Sequence, residues 1–254
     1  MRGQITYSLK AVANVKGRPD LTNEVHPTIR ASPVMAKKLE RKQRSIEILK
    51  KHNVPYIEHF PVIEHESEIE PRTVEDIANR AMCLCLVAFK GVAPPDEPME
   101  SVEKTIHGVL HDYELEPYLS PAEKLFIENK KPNEQERKRF SWRFEAYWVL
   151  LWALGYVEKL EYPDRVCDAS SAKKIMRQRT REKFISDAKL RPYSEIFDEA
   201  DLIYRLHWAV VEADLRKRKM PANLNPDVVY ERHYALNWLI RYGDSDWDDV
   251  DTST

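Results

Sequence analysis

Glycine is nearly missing from this chain, with six in 254 residues. Tight phosphate cradles are built from glycine-rich loops, and neither a GxxxxGK[ST] run nor a GxGxxG element occurs, which argues against nucleotide-dependent kinase or dehydrogenase chemistry. A GxSxG elbow and a CxxC pair are also absent, removing the usual signatures of an α/β-hydrolase serine and of a redox or zinc pair. Cysteine is scarce and odd in number: Cys83, Cys85 and Cys167. Two residues apart on a helix, Cys83 and Cys85 point to different faces and cannot form a routine disulfide. Reduced, buried thiols in a reducing compartment are expected instead. A formal charge of -2 gives no global attraction to phosphate or anionic lipid. The apolar run 82–87 falls far short of the ~20 residues of a membrane span, and residues 1–10 hold no continuous apolar stretch of the secretory kind. The expected setting is cytoplasmic, away from membranes.

What the chain does have is a periodic, aromatic interior. Hydrophobic residues make up 43%, with six Trp and twelve Tyr. Gly91, Gly155 and Gly243 each follow a long periodic segment, where a left-handed helix cap belongs. Thr73 with Asp76, Ser120-Pro-Ala-Glu123 and Asn225-Pro226 carry the marks of helix starts. These signals predict helices over 37–53, 73–90, 97–113, 120–129, 134–154, 170–189, 194–218 and 226–242. The fold class is therefore mainly α: a single multi-helical domain of about seven or eight helices over 37–254, with 134–154 as its buried centre. Residues 1–36 read as an extended or partly disordered arm, in which the alternation of Ile5, Tyr7, Leu9, Ala11 and Ala13 allows a short strand. Trp247 and Val250 should fold back onto the body, with Asp248 or Asp249 meeting a basic residue.

Charges fall inside the apolar patterns. At about 100° per residue, Trp142, Trp148, Val149 and Trp152 share Glu145's side of its helix. Arg80 lies with Ile77, Leu84 and Val87, and Arg232 with Val228, Ala235, Leu236 and Leu239. Ionised groups in such surroundings need partners, so Glu145 is expected to pair with Arg80, Arg232 or both. A bracing network is the plain reading, and a pocket gripping a small anion with the two arginines is the sharper one. Asp201 and Arg205 can pair at spacing four. His207, with His233 and Glu231 on the next helix, reads first as a hydrogen-bonded core residue and second as part of an acid–base site. Together, Arg80, Glu145, Asp201, Arg205, His207, Glu231, Arg232 and His233 form the candidate buried polar network or ligand pocket.

Two further patterns carry candidate chemistry. His107, His111 and Glu114 have metal-ligand spacing, preceded by Glu103, yet flank the apolar stripe of Ile106, Val109, Leu110 and Tyr113, so they read as an ordinary wet face and no metal or cofactor is expected. Lys173, Lys174, Arg177, Arg179, Arg181, Lys183, Lys189 and Arg191 make a basic segment, with Lys173, Arg177 and Arg181 on one helical face. Without any nucleic-acid fold signature this reads as a solvated face.

Several strings resemble the domain-of-unknown-function 4272 family of uncharacterised, mainly bacterial proteins. They are Arg41-Lys-Gln-Arg-Ser-Ile-Glu-Ile-Leu49, Val54-Pro-Tyr, Pro61-Val-Ile and Ile77-Ala-Asn-Arg-Ala81, then Trp142-Arg-Phe-Glu-Ala-Tyr-Trp-Val-Leu-Leu-Trp-Ala-Leu-Gly155. Asp201-Leu-Ile-Tyr-Arg-Leu-His-Trp208, Glu231-Arg-His-Tyr-Ala-Leu-Asn-Trp238 and Trp247-Asp-Asp-Val follow in order. The resemblance covers about residues 38–254 and implies a shared fold but no catalytic residues. The expected function is a helical binding or interaction protein without catalysis, its partner a protein or small molecule rather than nucleic acid. The alternative is a hydrolase-like enzyme using a His/acid pair between helices 194–218 and 226–242.

Overall fold

A computed structural model describes residues 32–94 and 97–254. Among these the chain forms α1 (Pro33–Lys51), α2 (Val74–Gly91), α3 (Met99–Asp112), α4 (Pro121–Glu128), α5 (Glu134–Ser141), α6 (Arg143–Ala153), α7 (Ala169–Arg177), α8 (Arg181–Ser186), α9 (Tyr193–Leu215) and α10 (Pro226–Leu239). Short 3₁₀ turns link some of them, and no strand occurs among the described residues. The fold is an all-α single domain, as the caps and periodicities lead one to expect.

The start signals work as their chemistry requires. Thr73 with Asp76 and Ser120 with Glu123 form reciprocal capping boxes, and Asn225 accepts from the first turn of α10. Some boundaries differ from those the sequence predicts. Helix starts inside the expected arm of 1–36: α1 begins at Pro33, with Ser32 accepting from the Met35 N–H at 3.1 Å. The possible strand lies in 1–31, outside the described residues. The single helix over 170–189 is two, because Thr180 caps a new start and α7 ends at Arg177. The helix over 134–154 passes through a junction at Trp142, which keeps helical angles between α5 and α6. Gly91 also serves a different purpose from the one expected. Gly155 (φ +78°) and Gly243 (φ +66°) do adopt left-handed conformations, whereas Gly91 is needed because the α5 backbone passes against it. A Cβ there would meet the Ser141 nitrogen at 2.5 Å.

Two helices hold the core. α6 is buried along its length apart from Trp148, as expected of the tryptophan-rich segment. α2 is just as enclosed: Ile77 through Ala88 are all buried, and the helix packs on α3, α4, α5, α6 and α8. α10 lies against both α6 and α9, and α1 covers α9. Each large apolar side chain so buried contributes roughly 1.5–3 kcal/mol.

The short helix α4 is held at both ends by charge of the sign its dipole favours. At its start, Asp248 accepts from Ser120 Oγ at 2.7 Å and from the Ala122 N–H at 2.9 Å. At its end, the fully buried Lys90 ammonium donates to the carbonyls of Ile127 (2.7 Å) and Asn129 (2.9 Å). Trp247 docks on the body as expected, but Asp248 meets a helix N-terminus rather than a basic side chain.

Candidate functional site

All eight residues of the expected polar network are buried. They do not converge on one pocket. Arg80 pairs with Glu123, not Glu145, and Glu123 also accepts from the Ser120 N–H in its capping box. Glu145 has one interior arginine beside it: Arg232 Nε lies 3.8 Å from Oε2, too far for a hydrogen bond, while Oε1 accepts from the Cys167 N–H at 2.5 Å. Burial raises the Glu145 carboxyl above its usual range, and the Cys167 N–H and Arg232 pull it back. Arg205 closes a bidentate pair on Asp201 at 2.7 and 2.8 Å, one turn away on α9, and also donates to the Pro61 carbonyl.

Glu231 turns out to belong to Arg143, which donates to it at 2.9 Å. Sequence reasoning missed Arg143, whose place in the first turn of α6 carries no mark of a partner on α10. The guanidiniums of Arg143 and Arg80 lie 5.6 and 5.2 Å from the Trp247 ring, and that of Arg143 lies 4.4 Å from Tyr234. Cations over aromatic faces gain from the ring quadrupole, more so when desolvated. Trp247 thus fixes two buried ion pairs from above.

The two histidines meet each other rather than an acid. His207 Nδ1 and His233 Nδ1 are 2.8 Å apart. Burial pushes His207 down to about 4, against the pull of the Thr252 backbone, and pushes His233 down to about 3, aided by His207 and opposed by Asp251. The Asp251 carboxylate is itself taken up by Ser253 at 2.6 and 2.8 Å. A cavity of about 200 Å³ reaches His233 from beside Pro61, Tyr204 and Tyr242, with Glu64 the one carboxylate in its lining. Glu64 makes no hydrogen bond to the ring through any described atom.

His107 and His111 are exposed, and Glu114 lies past the end of α3 with φ +51°. The helical spacing that suggested a metal site therefore does not extend to all three. No three His, Cys, Asp or Glu side chains form a metal-holding group among the described residues.

Of the surface concavities among the described residues, one is lined mainly by apolar side chains. A cleft of about 310 Å³ runs between α3 and α7 with α2 as its floor, lined by Cys85, Leu86, Phe89, Thr105, Val109, Tyr113, Lys173, Met176 and Arg177. Helical repeats bring each wall together: Thr105, Val109 and Tyr113 recur every fourth residue, and Lys173, Met176 and Arg177 cover one face of α7. Tyr113 ties the α3 side to the end of α7, and Tyr147 ties α7 to α6. Tyr113 donates to the Arg179 carbonyl at 2.6 Å, and the fully buried Tyr147 donates to the Ala172 carbonyl at 3.1 Å. The floor thiol of Cys85 is pushed up to about 12 by burial, with Tyr147 and Lys173 acting against that. It stays protonated and is no nucleophile at neutral pH.

The basic stripe is redistributed around this cleft. Because the helix breaks after Arg177, Arg181 sits on α8 and pairs with Glu75 at 3.1 Å, not in line with Lys173 and Arg177. Arg179 pairs with Asp187 and Arg191 with Glu195. Lys173 and Arg177 form no ion pair among the described residues.

An all-α domain with paired charges in its interior and a mainly apolar cleft between α2, α3 and α7 is the class these features define. Residues 41–250 match the family described as Domain of unknown function (DUF4272), and the chain belongs to that family. No curated protein and no solved structure matches it. No helix among the described residues is long and apolar enough to cross a membrane.

Proposed function

We propose that this is a binding protein without catalysis, with the α2–α3–α7 cleft as its ligand site. One observation carries the reading: of the expected network, Arg80, Asp201, Arg205, Glu231, His207 and His233 are taken up by close partners, while the α2–α3–α7 cleft offers mainly apolar surface. An acid–base enzyme needs a base poised near its working pH and an acid to orient it. His207 and His233 are pushed well below neutrality and orient only each other. Small-molecule sites are typically apolar concavities of about 300–1,000 Å³ with a few placed polar groups, and the cleft fits the lower end. Three free thiols suit a reducing, cytoplasmic setting. A small molecule is therefore the partner we favour over a nucleic acid, for which two adjacent cations are too few.

The test is a thermal-shift panel of small apolar, anionic and aromatic compounds on the wild type and on Thr105→Trp, which fills the cleft mouth from an exposed position. Ligand bound to the folded state raises its stability by mass action. The reading predicts compounds that raise the melting temperature of the wild type and not of the variant; equal shifts in both, or none in either, reject it.

A further inference from the structure

The cleft's lining is uneven in a way that names its occupant. Leu86, Phe89, Val109 and Met176 give it an apolar bed, and of its nine lining residues none is acidic. At one side stand two cations from adjacent turns of α7, Lys173 and Arg177. Of the nearby cations, Arg179 pairs with Asp187 and Arg181 with Glu75, and neither lines the cleft. Lys173 Nζ lies 6.0 Å from the Phe144 ring, which leaves its three donors available.

We propose that the cleft binds a medium-chain amphipathic carboxylate, its tail on the apolar bed and its head between Lys173 and Arg177. This rests on reading the protein as a binder and adds the ligand's chemical class. Charge complementarity selects the head. A guanidinium matches a carboxylate in two parallel hydrogen bonds, and an ammonium adds a compact positive charge beside it. A neutral apolar ligand would leave both cations unanswered at the rim. The Cys85 thiol stays protonated at the floor and brings no charge to repel an acid. Volume selects the tail, since about 310 Å³ holds a short chain and excludes a diacyl lipid. Each methylene laid on such a bed contributes to affinity in proportion to the apolar area it hides.

The experiment is calorimetric titration of the full chain with octanoate and with octanol, which share a tail length and differ in the head. Three proteins are compared: wild type, the doubly substituted Lys173→Ala/Arg177→Ala, and Thr105→Trp. The double variant removes two surface side chains that form no ion pair, from a helix that alanine favours, and circular dichroism confirms its folding. Octanoate should bind the wild type saturably, at least about tenfold more weakly to the double variant, and not to Thr105→Trp. Its affinity should fall with added salt while that of octanol does not. Octanol binding as tightly as octanoate, or a double variant with unchanged octanoate affinity, overturns the carboxylate assignment and leaves the binding function standing. Octanoate failing to bind while other compounds of the thermal panel still do has the same meaning. Failure of the whole panel overturns both.

Discussion

The Nδ1 atoms of His207 and His233 lie 2.8 Å apart, within hydrogen-bond reach of each other. Burial holds both rings well below the ordinary histidine range, so both are neutral in the folded protein at pH 7. In the unfolded chain each has the ordinary histidine value of about 6.5. Between that value and about 4 and 3, the unfolded chain takes up protons that the folded protein refuses. The fold's advantage from this pair is complete above about pH 6.5 and is lost as the pH falls, by up to roughly 1.4 kcal/mol per pH unit for each ring. Glu145 and Glu231 are raised by burial and act in the opposite sense, so the difference between proteins is the readout. Urea unfolding of wild type and His207→Gln/His233→Gln at pH 7 and 5 should show the shallower acid loss in the variant. An identical loss refutes the neutral pair.

Arg143 and Glu231 should behave as a unit. Glu231→Gln leaves a buried guanidinium without its countercharge, and breaking such a pair typically costs about 3–5 kcal/mol. The Arg143→Met/Glu231→Leu double variant removes both charges and should lose much less. Chemical denaturation midpoints decide; a double variant as unstable as the sum of the singles would mean that the two charges act independently.

The two ends of α4 give a local prediction. Asp248→Ala withdraws the acceptor for Ser120 Oγ and the Ala122 N–H. The expected cost is about 0.5–2 kcal/mol, as for other lost N-caps. Amide exchange should accelerate in residues 121–128 more than in α9. Uniform acceleration would show instead that the Asp248 contacts hold the whole fold.

Gly91 and Gly108 should respond to alanine with opposite signs. At Gly91 the added methyl meets the α5 backbone, Arg137 oxygen at 2.8 Å and Ser141 nitrogen at 2.5 Å, and backbone cannot step aside cheaply. Gly91→Ala should destabilise by about 1–3 kcal/mol. Nothing lies within 4 Å at Gly108 on α3, so Gly108→Ala should stabilise by about 0.5–1 kcal/mol through helix propensity. Melting temperatures of the two variants moving the same way would contradict this packing.

The helices were legible because caps and apolar periodicities are local. Thr73, Ser120 and Asn225 satisfy donors within three residues of themselves, so their meaning survives without coordinates. The burial of Arg80, Glu145 and Arg232 was legible too, from the faces they share. Their partners were not. Arg80 finds Glu123 on α4, a residue whose sequence role as a capping carboxylate gave no hint of a second bond. Arg143 was overlooked because one turn of α6 cannot report that α10 will lie across it. The cleft was invisible for the same reason: no local pattern marks Phe89, Thr105 or Met176, and only the crossing of three helices leaves space between them.

Residues 226–251 supply Glu231 to Arg143, Arg232 to Glu145, the Trp247 ring that lies over Arg80 and Arg143, and Asp248 to α4. During synthesis on the ribosome, α2, α4 and α6 emerge long before these counterparts exist. The nascent chain must keep Arg143 and Glu145 hydrated, or shielded by a chaperone, until residues 226–251 have emerged. Folding of this domain is thereby postponed until residues 226–251 have been made.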